Sequence, residues 1–171
     1  MNGQHTRRIG VLGVGNLLLR DEGFGVHCIR HLDANYRFPE GVEVLDGGTS
    51  GLFLAPFLER WERAIVIDCV ALDEPPGTVR TFSRGELETG LIPTRMSPHQ
   101  VGILEILAIC ELRGKAPRQV EFFAVVPQDI STGVDLSATL AEKVPEVAAM
   151  VVERLAALGY AVRPAKGKGD A

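Results

Sequence analysis

A chain of 171 residues, 46% hydrophobic and 23% charged, has the length and make-up of a single globular domain with a full core. Its net charge of −4 argues against general nucleic-acid binding, because phosphate contacts need a basic face. No apolar run reaches the ~20 residues of a membrane span, and the polar start of the chain lacks the apolar stretch of a secretory signal, so a cytoplasmic protein without membrane contact is expected.

The first strand signal is the apolar run Ile9, Val11, Leu12 and Val14. Gly13 and Gly15 follow within a turn that leads to two adjacent acids, Asp21 and Glu22, and then to Gly23 and Gly25. Nothing in packing or solubility asks for an acid pair beside so crowded a backbone. A dinucleotide fingerprint would need a third glycine at position 18, where Leu18 stands, and a pyrophosphate would be repelled by the acids.

Val26, Ile29 and Leu32 recur at helical spacing over 25–36, and Pro39 and Gly41 stop the helix. Residues 42–45 read as a short strand ending in Asp46-Gly47-Gly48-Thr49, and 52–61 as a second helix. An apolar strand over 64–67 closes on Asp68, and Pro75-Pro76-Gly77 makes a turn. Residues 78–82 alternate as a strand. The connection before it is too short for a parallel crossover, so it should run antiparallel at an edge.

Residues 83–96 read as a long loop. Ser97 and Pro98 fit the N-cap and first position of an apolar helix over 101–112. The last strand covers 120–126. A helical pattern over 136–158 is interrupted at Pro145, which should kink it or start a second helix. Segment 1–7 is expected to be flexible, 8–162 to form one α/β domain, and 163–171 to be a disordered tail. This order predicts a three-layer α/β sandwich: a mostly parallel, twisted sheet of about five strands, one antiparallel edge strand, and helices on both faces.

In a parallel sheet the carboxyl ends of the strands share one edge, where ligands bind. Glu22 follows the first strand, Asp46 ends the second, Asp68 ends the third, and His99 lies in the segment that opens the helix over 101–112. Carboxylates with an imidazole suit a transition metal such as nickel or zinc. Taken singly, each has a plainer role: Asp46 in an Asx turn, Asp68 as a cap, His99 as a structural histidine. His27 and His31 are spaced for a metal clasp, but Arg30 and Asp33 beside them favour a solvated face. Cys28, Cys69 and Cys110 are widely spaced without a C-x-x-C and read as buried thiols. No G-x-S-x-G or H-E-x-x-H is present.

Four segments together carry a family resemblance: G-V-G-N-L-L-L-R-D-E-G-F-G at 13–25, D-G-G-T-S-G-L at 46–52, V-I-D-C at 66–69 and M-S-P-H-Q at 96–100. In order and spacing the chain resembles the NiFe-hydrogenase maturation endopeptidases, from about residue 8 to 162. The resemblance implies cleavage of a C-terminal extension from a hydrogenase large-subunit precursor after nickel insertion, by a peptidase of aspartyl or metal-dependent type acting as a monomer. It implies Glu22, Asp68 and His99 as metal ligands and Asp46 in substrate recognition or cleavage, these four forming the catalytic set. The nickel would arrive in the precursor, with zinc or another divalent metal able to substitute. Two rivals stay open: a non-proteolytic module on the same scaffold that senses a metal or nucleotide, and a metallohydrolase with its own zinc and a small substrate.

Overall fold

The computed structural model describes residues 8–90 and 98–165, and for 98–101 the backbone alone. Expectations that fall on 1–7, on 91–97 (Ser97 and most of the second half of the long loop) and on 166–171 lie outside the described residues.

Strand β1 (Ile9–Val14) is buried at all six positions because it lies inside the sheet and is covered on both faces. Around it run β3 (Val42–Gly48) and β4 (Arg63–Cys69), each parallel to it, then β6 (Gln119–Val125), parallel to β4. Strand β5 (Val79–Ser83) closes the sheet, antiparallel to β6, giving the order β3-β1-β4-β6-β5. The short connection before β5 did dictate an antiparallel edge strand, though its partner is β6 and not the preceding β4.

Side-chain alternation divides the core in two. Ile9, Val11, Ile65, Ile67 and Cys69 pack with α1 (Phe24–Asn35) and α5 (Ala138–Ala157). Leu12, Val14, Ala64 and Val66 pack on the opposite face with Leu58 of α2 (Ala55–Leu58) and with Ile103, Ile106 and Leu107 of α4 (Pro98–Leu112). Close approach of α1 depends on a missing side chain: a Cβ on Gly25 would sit 2.2 Å from the Ile67 carbonyl oxygen and 2.4 Å from that of Val14. The result is the expected three-layer sandwich.

Several elements depart from the sequence reading. The second helix is a 3-10 turn over Gly51–Leu54 followed by the single turn of α2. The long loop begins with α3 (Arg84–Glu88), started by a capping box in which Ser83 and Glu86 exchange side-chain and backbone hydrogen bonds. Pro145 does not split the last helix into two elements; α5 is one helix of 20 residues, held by Val144, Val147, Ala148, Val151 and Leu155 against the sheet. Residues 163–165 are not a free tail. β7 (Arg163–Pro164) pairs antiparallel with β2 (Tyr36–Arg37), and the Ala165 amide donates to the Asn35 carbonyl at 2.7 Å. Among the described residues no helix is long and apolar enough to cross a membrane.

Candidate active site

The carboxyl ends of β3, β1, β4 and β6 lie on one edge of the sheet, and the loops leaving them build the candidate site. The turn after β1 is the most constrained of these. Gly15 adopts φ +140°, and a Cβ there would lie 1.7 Å from the carbonyl oxygen of Glu22. Only glycine lets the chain fold back so closely on itself. The acid pair then sits in a 3-10 turn over Arg20–Gly23, packed against β4. Arg20 has φ +42°, a backbone conformation that side-chain-bearing residues avoid unless their surroundings hold them there.

The two acids are treated differently. Asp21 is fully buried and is saturated with donors from the loop after β6. Its Oδ2 accepts the amides of Gln128 and Asp129 at 2.8 Å each and the Ser137 hydroxyl at 2.9 Å; its Oδ1 accepts the Ser137 amide at 2.8 Å. Four hydrogen bonds to a charged acceptor offset the cost of taking it out of water. Glu22 is half-buried and next in the chain, in a turn that packs against β4 and close enough to act on the Cys69 thiol.

Asp68, at the end of β4, is almost completely buried, and its Oδ1 accepts the Cys69 amide at 2.8 Å. It projects from the sheet face that carries Ala64 and Val66, the face covered by α4. His99 lies in the first turn of α4, so its backbone belongs to that same layer; its side chain is outside the described residues. Negative charge is concentrated here. The buried Cys69 thiol is pushed well above the usual thiol range, first by burial and then by Asp68, Glu22 and Asp21 in turn. Carboxylates near a strand end, with a histidine in the sequence of the helix layered on that face, are residue types a divalent transition metal accepts. Among the described residues no three His, Cys, Asp or Glu side chains are close enough to hold a metal by themselves.

Asp46 stands apart from this group. It pairs in register with Gly13 on edge strand β3, and its side chain leaves from the face that carries Val42 and Val44. That is the α1 side, opposite to Asp68. Its carboxylate is exposed and accepts the Gly48 amide at 3.0 Å, an Asx turn. The Asp33 carboxyl of α1 is held above the usual range, by burial first and then by repulsion from Asp46. The Gly48 carbonyl in turn accepts the Gly15 amide at 3.0 Å, so the two glycine-rich turns are tied together by their backbones.

His27 is not on a solvated face. It is half-buried against the loop after β6, with Nε2 buried and no acceptor for it among the described residues. Burial, then Arg30, lower its proton affinity; the Val134 carbonyl and Asp135 pull the other way. The site edge also exposes apolar side chains that the sequence reading did not single out: Leu18, Ile130 and Val134 on one pair of loops, Leu52 and Phe53 after β3.

Residues 26–154 match the family model described as hydrogenase maturation protease. This chain belongs to that family. The hydrogenase maturation protease is 34% identical over 161 residues to the hydrogenase expression/formation protein HupM of Azotobacter chroococcum mcd 1, covering 94% of this chain and 77% of HupM. It is 32% identical over 164 residues to the hydrogenase 2 maturation protease of Escherichia coli K12, covering 95% and 99% of the two chains. Its fold superposes on the hydrogenase maturating endopeptidase HybD from E. coli with a TM-score of 0.85 at 30% identity, over 92% of this chain and 97% of HybD. The enzyme is thus a peptide-bond hydrolase, and the alternative of a non-proteolytic binding module finds no support in these relatives.

Proposed function

We propose that this maturation protease removes the C-terminal extension of a NiFe-hydrogenase large-subunit precursor once nickel has been inserted. One observation supports the reading beyond the family: Glu22 follows β1 and Asp68 ends β4 at the same edge of the sheet, and both carboxylates act on the Cys69 thiol there. Glu22, Asp68 and His99 are the residues that would ligate the nickel, which arrives as part of the substrate; zinc or another divalent ion can stand in for it. The metal supplies a recognition contact and polarises what it binds. The protein's part is to hold two oxygen donors rigidly, Asp68 through the Cys69 amide and Glu22 through the turn that Gly15 admits. Asp46 acts in recognition and not as a ligand, since its carboxylate leaves from the other face. The exposed Leu18, Leu52, Phe53, Ile130 and Val134 lie on the loops of this edge and suit a polypeptide laid across it. The enzyme works as a cytoplasmic monomer.

Mass spectrometry of a cleavage reaction tests this. The full-length enzyme is mixed with a cognate precursor, nickel-loaded or nickel-free. Loss of a C-terminal peptide from the loaded form alone is the expected result. Cleavage of both forms would keep the protease and discard the substrate-borne metal; no cleavage of a correctly loaded cognate precursor would overturn the reading.

A further inference from the structure

The acid pair divides its work, and the half that is not a ligand candidate has a function of its own. All four hydrogen bonds to Asp21 come from a single segment, 128–137, which lies more than a hundred residues away in the chain. The backbone repeats the attachment: the Arg20 amide donates to the Gly133 carbonyl at 2.9 Å, the Gly133 amide to the Leu18 carbonyl at 2.9 Å, and the Asp21 amide to the Asp129 carbonyl at 3.1 Å. Arg20 also pairs with Asp129 at 3.4 Å. On its other side the same turn abuts Gly15, with no room for a methyl group. The main chain of Glu22 is therefore gripped from two directions, and the left-handed backbone at Arg20 is the strain that such a grip sustains.

We propose that Asp21 is a positioning residue for the maturation reaction, locking the loop after β6 onto the turn that presents Glu22 and so fixing where the Glu22 carboxylate stands. The inference rests on the reading of Glu22 as a ligand for the metal carried by the precursor. Partners that orient a ligand from outside the coordination shell typically matter about tenfold or more in affinity or activity. The chemistry of Asp21 makes it specific for this task. Replacing one carboxylate oxygen by an amide NH₂ places a donor against a donor in either orientation, since Oδ1 faces one amide and Oδ2 faces two amides and a hydroxyl.

The test uses the full-length Asp21→Asn enzyme with two readouts. Amide hydrogen exchange at Glu22, whose N–H donates to the Leu19 carbonyl at 3.0 Å, needs neither metal nor substrate. It should accelerate about tenfold or more, while amides of β1 and β4 keep their protection. With nickel-loaded precursor, KM should rise about tenfold, whereas a loss of folded molecules would lower kcat and leave KM unchanged. Unaltered Glu22 exchange, or an unaltered KM in fully folded protein, overturns the proposal. Should Asp21→Asn not fold, Ser137→Ala removes one of the four hydrogen bonds, and the same two readouts should move about fivefold, the worth of one such bond. A wild-type enzyme that cleaves no loaded precursor would sink the functional reading alone; the exchange readout would still decide whether Asp21 positions Glu22.

Discussion

At the scale of single residues, neighbours of identical chemistry have opposite surroundings. Asp21 is enclosed by donors, Glu22 is left half-buried, and Asp68 is buried with one oxygen on the Cys69 amide. The substitutions Glu22→Gln, Asp68→Asn and His99→Ala keep size or remove a side chain from a helix start. Each should abolish cleavage of the loaded precursor, measured by mass shift, while the thermal midpoint stays close to that of the wild type. Retained cleavage in any two would defeat the shared-metal model. The placement of Glu22 and Asp68 at one edge was legible in the sequence because strand-end positions share that edge in a parallel sheet. The separation of Asp46 was not, since which face it leaves from depends on the register of β3 against β1. Nor was the partnership of Asp21 with Ser137, which no local pattern announces.

At the scale of elements, the sheet was readable wherever connection length or periodicity constrains geometry. The antiparallel β5 followed from a connection too short to cross over. The β2–β7 ribbon escaped notice because two residues per strand show no alternation. The continuity of α5 was hidden by Pro145, since propensity alone ends a helix there; packing of the helix face against the sheet overrides it. Pro145 lies in the helix interior, is exposed, and leaves the Ala141 carbonyl without its helical donor. Pro145→Ala should therefore stabilise the fold by about 1–2 kcal/mol, less than the full helix-interior cost of proline because the unfolded chain gains freedom too. A rise in the urea midpoint with unchanged cleavage would show it; a fall would mean that the proline relieves crowding elsewhere.

Across the whole molecule, acid should weaken the fold in two stages. His27 has a lowered proton affinity in the folded state, chiefly through burial, so the unfolded chain binds its proton first. Its contribution is complete above the ordinary histidine value of about 6.5 and is lost as pH falls below it. Glu43 is held low, chiefly by the Arg60 guanidinium and also by the Trp61 indole N–H at 2.8 Å. That contribution is present above the ordinary glutamate range and disappears only as pH drops through the lowered folded value. Asp33 has the opposite sign, raised by burial first and then by Asp46, so its protonation favours the fold and opposes the loss from Glu43. Urea midpoints should thus fall between pH 7.5 and 5.5, and His27→Gln should flatten that slope; an unchanged slope would exclude His27 as its source.

The reach of Asp21 has a further consequence during synthesis. Its partners lie 107 to 116 residues downstream, so on the ribosome the Glu22 turn is complete long before anything exists to hold it. Until the last quarter of the chain has emerged, the Asp21 carboxylate lacks the donors that offset its burial. A half-made protease in this design would carry Glu22 on a turn that nothing yet holds. The clamp would delay proteolytic competence until the molecule has finished making itself.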